Sequence, residues 1–204
     1  MERDGGLGSS SFLKSIHLSE ARDSDAFVLC RCGDTFVEAK PDSPDCLDMP
    51  GKWPNLPMEP VDLAVLVKGI LETYPNLESQ NAEICIMGPL PTVLGNEAML
   101  MQVLSNLLGN AVKFARAGIK PQIKIWAETR PPLVRLLVKD EGIGIAPDQH
   151  QKIFNIFQQV EKIEDGTGIG LAIVKKSVER MNGNVGVDST LGHGSTFWIE
   201  LKPA

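Results

Sequence analysis

Residues 96–118, NEAMLMQVLSNLLGNAVKFARAG, carry the apolar pattern that most restricts how this chain can fold. Apolar side chains recur there every three or four residues, which is the spacing of one face of an α-helix. They are Leu100, Val103, Leu104, Leu107, Leu108, Ala111, Val112 and Ala115. Asn96 stands just before them, where an asparagine can accept a hydrogen bond from the first helical turn. The pattern predicts a capped helix that packs firmly on a hydrophobic core.

The opposite face of this helix is polar in an unusual way. Asn106, Asn110 and Lys113 fall within about 60° of one another at helical spacing. Asparagine is a poor helix former, and a solvated face more often carries Glu, Lys or Arg. Amide oxygens can ligate a hard cation such as Mg²⁺, and an ammonium can bind phosphate. A plain solvated face explains the three residues equally well, so the helix alone leaves both interpretations open.

A predicted strand, LVRLLVKD at 133–140, runs directly into a glycine-containing turn, EGIGIAP. Val134, Leu136 and Val138 alternate on one face of the strand, and Asp140 is its last residue. Gly142 and Gly144 allow the main chain to approach another group more closely than a Cβ would permit. The stretch predicts a polar site at the strand's end, although taken alone an ordinary loop explains it as well.

A second glycine cluster, DGTGIGL at 165–171, leads into a predicted amphipathic helix that ends near Gly183. The inward residues of that helix are Leu171, Val174, Val178 and Met181. Gly166, Gly168 and Gly170 allow backbone N–H groups to converge on an anion at the helix N-terminus. Between the clusters, residues 146–166 are mostly polar and predict a mobile lid. Phe154 and Phe157 would act as its latch or, alternatively, as ordinary core residues.

The rest of the chain separates into two parts near residue 57. Residues 25–40 predict a hairpin turning at Gly33-Asp34, and six prolines between positions 41 and 60 predict an irregular linker. From residue 58, Asp62 caps a predicted helix, AEICIM at 82–87 predicts a strand, and 184–202 predicts a hairpin turning at 192–194. We therefore expect an N-terminal segment, 1–57, of unknown role and one domain, 58–204.

Composition excludes several classes of protein. The net charge of −6 offers no electrostatic surface for nucleic acid or an anionic membrane. Apolar runs are too short for a membrane span, and the N-terminus lacks the apolar core of a signal peptide. Three cysteines, Cys30, Cys32 and Cys46, could act as zinc ligands, but the sequence offers no fourth ligand nearby. We therefore expect reduced thiols in a cytoplasmic protein. The P-loop, dinucleotide-binding and protein-kinase motifs are all missing from the sequence.

Five short motifs, in order and at suitable spacing, resemble those of the sensor histidine kinase ATP-binding domain. NLLGNAVKF at 106–114 resembles its asparagine box, and DEGIGI at 140–145 its first glycine box. IFNIF at 153–157 is similar to the phenylalanine box, GTGIGLAIV at 166–174 to the second glycine box, and GHGSTF at 192–197 to a third. The resemblance covers residues 58–204. It implies the Bergerat-type α/β fold shared with DNA gyrase and mismatch-repair ATPases, a two-layer sandwich of a mixed β-sheet with helices on one face.

The resemblance also implies a role for each matching residue. Asp140 would accept a hydrogen bond from the adenine amino group of ATP, Asn110 would ligate Mg²⁺, and Asn106 and Lys113 would line the phosphates as catalytic groups. Thr196 would lie near the adenine. The backbone contacts to nucleotide would come from the glycine boxes, at Gly142, Gly144, Ile145, Gly166, Thr167, Gly168, Gly170 and Leu171.

By the same resemblance, the chain would be the catalytic module of a protein-histidine kinase, and we expect it in the cytoplasm. Its partners would be a histidine-bearing dimerisation domain and a response regulator, with no contact to nucleic acid or membrane. His17, His150 and His193 lack the phosphoacceptor pattern, and Gln159 stands where many relatives have a catalytic arginine, which leaves Lys152 or Lys162 to substitute. A nucleotide switch without kinase activity needs the same pocket. A gyrase-type ATPase is disfavoured because Asn106 replaces its general-base glutamate.

Overall fold

The computed structural model describes the backbone of residues 28–32 and 35–39, and residues 57–78, 80–155 and 169–204 in full. The chain divides into two compact units, Met1–Asn55 and Leu56–Ala204. Several predictions concern positions outside the described residues and stay predictions. These positions are His17, Cys46, Phe157, Gln159, Lys162, Gly166, Thr167 and Gly168.

The first unit contains a pair of antiparallel strands. Strand β1, Val28–Cys32, pairs with β2, Thr35–Ala39, and Cys32 lies opposite Thr35. This register leaves two residues, 33 and 34, to connect the strands, as the sequence predicts for a hairpin. The turn itself and the side chains of Cys30 and Cys32 fall outside the described part, so the zinc interpretation stays untested.

The second unit is built on a five-stranded mixed sheet. Its strands are β4 (Glu83–Ile86), β6 (Gln122–Arg130), β7 (Leu133–Asp140), β8 (Asn184–Ser189) and β9 (Ser195–Leu201). Their spatial order is β4-β6-β7-β9-β8, with β4 and β6 parallel and all other neighbours antiparallel. Two short strands, β3 (Glu59–Asp62) and β5 (Thr92–Gly95), form a separate antiparallel pair.

The described residues of this unit also form three α-helices: α1 (Leu63–Thr73), α2 (Glu97–Lys113) and α3 (Gly170–Arg180). Both predicted caps are confirmed, because Asp62 Oδ1 accepts from the N–H groups of Ala64 and Val65, and Asn96 Oδ1 accepts from that of Met99. The apolar faces of the helices share one core with alternate residues of the sheet. This confirms the expected two-layer arrangement with helices on one face. In the described part of the chain, no helix is long and apolar enough to span a membrane.

The apolar stripe of α2 is confirmed, with a small difference at its end. Leu100, Val103, Leu104, Leu107, Leu108 and Ala111 are buried, whereas Val112 and Ala115 are half-buried. At the end of α3, Asn182 adopts the left-handed conformation, with φ of 56°. Gly183 lies one residue further on and donates its N–H to the Val178 carbonyl at 2.9 Å. The helix thus ends in a Schellman motif whose left-handed residue is asparagine, which tolerates that conformation.

The described first half of the predicted lid is packed rather than loose. It forms two short 3₁₀ helices, Pro147–Gln149 and Lys152–Phe154. Phe154 is buried and meets Phe197 of β9 edge-to-face, with ring centroids 6.5 Å apart. Ile153 is buried beside it. Of the two predicted roles, Phe154 therefore has that of a core residue, because its ring packs between the 3₁₀ turn and the sheet.

Candidate functional site

The helix-facing side of the sheet changes from apolar to polar at one end. Two successive cross-strand rows are apolar: Leu136–Ile199–Val185 and Val138–Phe197–Val187. Side chains alternate between faces along a strand, so the next residues on this face are those two positions further along. They are Asp140, Ser195 and Ser189. Asp140 is the last residue of β7, as predicted, and Ser195 and Ser189 follow it across the sheet.

Asp140 is a buried carboxylate with one oxygen already engaged. Its side chain is in the core, and the residue is 6% exposed. Oδ1 accepts hydrogen bonds from the N–H groups of Gly142, at 2.8 Å, and Ser195, at 3.2 Å. Burial raises the pKa of the Asp140 carboxyl above its ordinary value, and these two N–H groups oppose part of that rise. Because both bonds end on Oδ1, Oδ2 is the oxygen that can accept a hydrogen bond from a bound molecule.

The first glycine loop, residues 141–145, is held against the end of α2 and against the last hairpin. A Cβ on Gly142 would lie 2.4 Å from the Phe114 carbonyl oxygen, and Ile143 N–H donates to that same oxygen at 3.1 Å. Gly144 has φ of +71°, and a Cβ there would lie 2.1 Å from the Thr190 carbonyl oxygen. Only glycine fits at either position, which confirms that the loop makes a close main-chain approach.

The polar face of α2 lies against the beginning of α3. Asn106 donates its Nδ2–H to the Gln102 carbonyl at 2.8 Å, and its Oδ1 would be 2.9 Å from a Cβ built on Gly170. The structure thus brings together residues of the asparagine box and the second glycine box that are 64 positions apart in the chain. Leu171, which follows Gly170, is half-buried against the core.

Asn110 and Lys113 continue this face of α2 toward the first glycine loop. Asn110 is half-buried, while Lys113 is exposed and its Nζ lies 5.7 Å from the centroid of the Phe114 ring. Because Phe114 also receives the N–H of Ile143, the polar stripe ends where the glycine loop begins. The stripe therefore runs from the N-terminus of α3 to the loop beside Asp140.

The residues present could hold a magnesium ion only if water and a bound molecule supplied its other ligands. Asn110 offers one amide oxygen, and within the described residues no hydrogen bond engages that side chain. The same described residues contain no cluster of three or more His, Cys, Asp or Glu that could hold a metal. Mg²⁺ commonly takes one or two protein ligands and completes its shell with water and substrate phosphates. Asn110 suits that mode of binding.

Thr196 needs a correction. We expected it near the adenine, but strand alternation places its side chain on the sheet face opposite to Ser195 and Phe197. Ser195 is buried, and its backbone N–H donates to the Asp140 carboxylate. Ser195 is therefore the residue of the third glycine box that lies beside Asp140. The signal was present in the sequence. Phe197, Ile199 and Leu201 alternate inward, and Ser195 continues that series.

Two further residues at the site were not predicted. Arg116 donates from Nε to the Gly142 carbonyl at 3.3 Å and from a terminal nitrogen to the Gly192 carbonyl, so it joins the first glycine loop to the last hairpin. Ser189 accepts the Ile145 N–H and donates to the Gly194 carbonyl, both at 2.8 Å. Neither residue belongs to one of the five motifs, although Arg116 lies two residues after the asparagine box.

Comparison with known proteins identifies this arrangement. The family model described as histidine kinase-, DNA gyrase B- and HSP90-like ATPase matches residues 95–204, more than half of the chain. Phytochrome-like protein Cph1 of Synechocystis sp. is 38% identical over 67% of this chain and 18% of its own length. Sensor histidine kinase AruS of Pseudomonas aeruginosa is 33% identical over 98% of this chain and 21% of its own length. The chain thus spans about a fifth of the curated relatives it matches.

Solved structures give the same result. Full-length ShkA in complex with AMPPNP is 39% identical, with a TM-score of 0.61 over 73% of this chain and 32% of that chain. The mycobacterial sensor histidine kinase MprB is 27% identical, with a TM-score of 0.62 over 72% of this chain and 99% of that chain. Asp140, the glycine boxes and the asparagine box all lie within the residues that the family model matches. The chain belongs to the family of histidine kinase-, DNA gyrase B- and HSP90-like ATPases.

Proposed function

We propose that this chain is the ATP-binding catalytic module of a two-component sensor histidine kinase. It would transfer the γ-phosphoryl group of ATP to a histidine on a dimerisation domain, from which a response regulator would accept it. The single observation that carries the proposal is the buried Asp140 carboxylate, held through Oδ1 at the open end of the sheet. The sensor kinases among the similar proteins support the choice of a kinase.

Adenine recognition follows from the chemistry of this carboxylate. An ionised carboxylate accepts hydrogen bonds and donates none, so it selects a base edge that presents an N–H. Adenine presents its exocyclic amino group, whereas guanine and hypoxanthine present a carbonyl oxygen at the same position. A buried acceptor left without its partner is costly, and that cost is the source of the discrimination.

Phosphate binding is assigned to the face where α2 meets α3. The Lys113 ammonium attracts phosphate, the Asn106 amide can donate to a phosphate oxygen, and the N-terminus of α3 at Gly170 offers backbone N–H groups. The resemblance adds Gly166, Thr167 and Gly168 to this set. These groups hold the phosphate chain in place and compensate for its charge, which is most of what phosphoryl transfer asks of a protein.

We assign the magnesium ion to Asn110, through its amide oxygen. When bound, Mg²⁺ neutralises charge on the phosphate oxygens. Asn110 lies one helical turn after Asn106 and one turn before Phe114, between the phosphate and base ends of the stripe. The protein would then provide one ligand and the nucleotide most of the others.

Hydrolysis of ATP is the less favoured outcome at this site. A hydrolase needs a general base beside the attacking water, and an amide cannot accept a proton at neutral pH. Asn106 occupies the position where gyrase-type enzymes have a glutamate, and its Nδ2 is already bonded to Gln102. A nucleotide-dependent switch without transfer remains the second candidate, because Gln159 replaces the arginine of many relatives. Both candidate functions would fit a cytoplasmic location, where ATP is present and thiols stay reduced.

The test uses the purified chain, γ-labelled ATP, Mg²⁺ and a cognate dimerisation domain added in trans. We expect acid-labile label on the histidine of the added domain, and less label with the Asp140→Asn variant at a limiting ATP concentration. Tight binding of ADP in a calorimetric titration without any label transfer would favour the switch. Failure to bind either nucleotide would overturn both candidates.

A further inference from the structure

We propose that Ser189 is a positioning residue for the base pocket. Its hydroxyl fastens the first glycine loop to the last hairpin and thereby sets where Asp140 meets the base. The inference rests on the proposed function, since it takes Asp140 as the group that reads adenine. It adds a residue that lies outside all five sequence motifs and has no contact with Asp140 itself.

The hydrogen bonds of Ser189 use the full capacity of its hydroxyl. A hydroxyl group has one proton to donate and two lone pairs that accept. Ser189 Oγ donates to the Gly194 carbonyl at 2.8 Å and accepts the Ile145 N–H at 2.8 Å. Ser195 Oγ lies 2.9 Å away, and because the Ser189 proton is already used, Ser195 is the donor of that pair. One small side chain at the end of β8 thus contacts the first glycine loop, at Ile145, and the start of β9, at Gly194 and Ser195.

These three contacts lead to Asp140 by two routes. Ser195, which donates its hydroxyl to Ser189, also donates its backbone N–H to Asp140 Oδ1 at 3.2 Å. Ile145, which donates to Ser189, ends the loop whose Gly142 N–H gives the other bond to Oδ1, at 2.8 Å. Both donors that fix Oδ1 therefore belong to segments that Ser189 holds, and the direction of Oδ2 depends on them.

Removal of this hydroxyl would affect geometry more than packing. Ser189 is half-buried at the end of β8, and alanine fills nearly the same volume. The Ile145 N–H would lose the Ser189 hydroxyl as its acceptor, and the loop could move away from the hairpin to reach water. An unmade bond to a part-buried N–H is unfavourable, so the loop position should shift. Base selectivity should suffer more than phosphate binding, since among the described residues the Ser189 hydroxyl bonds to Ile145, Gly194 and Ser195 and to no residue of α2 or α3.

The experiment compares ADP with inosine diphosphate, which has a carbonyl oxygen where ADP has the amino group. Calorimetric titration gives both affinities for the wild-type chain and for the Ser189→Ala, Ser189→Thr and Ser177→Ala variants. Ser177 is a half-buried serine on α3 and provides a matched control. We expect the wild-type preference for ADP to fall about three- to tenfold in Ser189→Ala, as loss of one such hydrogen bond predicts. Ser189→Thr, which keeps the hydroxyl, and Ser177→Ala should retain the preference.

The outcomes separate the two proposals. A wild-type chain without preference for ADP removes the base-reading role of Asp140, and this inference with it. A wild-type chain that prefers ADP, with the preference unchanged in Ser189→Ala, overturns the role of Ser189 alone. An equal loss of both affinities in Ser189→Ala would show a merely structural role and would also overturn it. If Ser189→Ala fails to fold, Ser189→Cys keeps the volume, weakens the hydrogen bonds and should show the same loss of preference.

Discussion

At the scale of single residues, Asp140 illustrates how a binding group is kept at a cost to stability. Its carboxyl is buried among apolar strand residues, and that burial raises its pKa. The folded chain therefore binds the Asp140 proton more tightly than the unfolded chain does. Ionisation at neutral pH consequently disfavours the folded state. A carboxylate that destabilises the fold is useful to the protein only when a ligand binds to it. For this reason we place the functional site at Asp140.

The first prediction separates binding from folding at this residue. In Asp140→Asn, the amide oxygen can still accept from Gly142 and Ser195, so the fold should survive with an equal or higher melting temperature near pH 7. Affinity for ADP should fall roughly ten- to hundredfold, as expected for a lost buried polar contact. Asp148→Asn, whose side chain is 67% exposed, should change neither quantity. Equal ADP affinities for the two variants in calorimetry would remove Asp140 from the adenine role.

The second prediction concerns pH and has a definite sign. A carboxyl whose pKa is raised on folding contributes stability that is present below the unfolded-state pKa and lost as pH rises through the folded-state value. The wild-type chain should therefore lose stability relative to Asp140→Asn as pH rises from the ordinary aspartate range through that higher value. Denaturant midpoints measured across this range for both chains give the difference. A stability difference between the two chains that stays constant with pH, or that changes in the opposite direction, would show that the buried Asp140 carboxylate does not destabilise the fold.

At the scale of elements, the sequence predicts what lies within one helix or strand and misses what joins them. Asn96, Asp62 and the apolar stripe of α2 could be found because caps and faces depend on residues three or four apart. The links made by Arg116 and Ser189 cross 26, 76 and 44 positions of the chain. No local pattern encodes such pairs, since they depend on how the sheet brings β7 beside β9.

The third prediction tests one of those links. Arg116→Leu removes the two hydrogen bonds by which Arg116 joins the first glycine loop to the last hairpin, but Arg116 is exposed, so water replaces part of what is lost. We expect affinity for ADP to fall only about two- to fivefold. Hydrogen exchange should become faster at residues 141–145 and 190–194. Arg130→Leu, at an exposed Arg130–Glu128 pair on β6, is the control and should leave both measurements unchanged. Unaltered exchange in Arg116→Leu would show that the loops hold together without it.

The fourth prediction concerns the aromatic residue that the sequence left between two roles. Phe154 is buried against Phe197, so Phe154→Ala should destabilise the fold by about 3–5 kcal/mol, the usual cost of deleting a buried ring. Leu191→Ala, at a side chain that is 61% exposed, should cost far less. Denaturant unfolding of both variants without nucleotide gives the comparison. A small loss of unfolding free energy in Phe154→Ala would instead favour the latch role, in which the ring matters only when nucleotide binds.

At the scale of the whole molecule, the described residues contain the proposed nucleotide site, but none of them is suited to accept the phosphoryl group. Nε2 of His150 lies 3.1 Å from the Ile145 carbonyl oxygen, and His193 lies in the turn of the last hairpin. Phosphoryl transfer requires a nucleophile in line with the γ-phosphorus, and neither of these two is on a helix that could present it. The transfer that we propose therefore involves another domain.

The last prediction follows from this geometry: the chain alone will bind ATP and will not label itself. The nucleophile must be held roughly 3–3.5 Å from the phosphorus, and that placement supplies much of the rate. ATP hydrolysis should also be slow, because Asn106 cannot take a proton from water. Incubation with γ-labelled ATP and Mg²⁺, followed by acid treatment, checks both points, since phosphohistidine is acid-labile. Acid-labile label on this chain that disappears in His17→Gln, but persists in His193→Gln, would place the phosphoacceptor within residues 1–57 and make the added domain unnecessary.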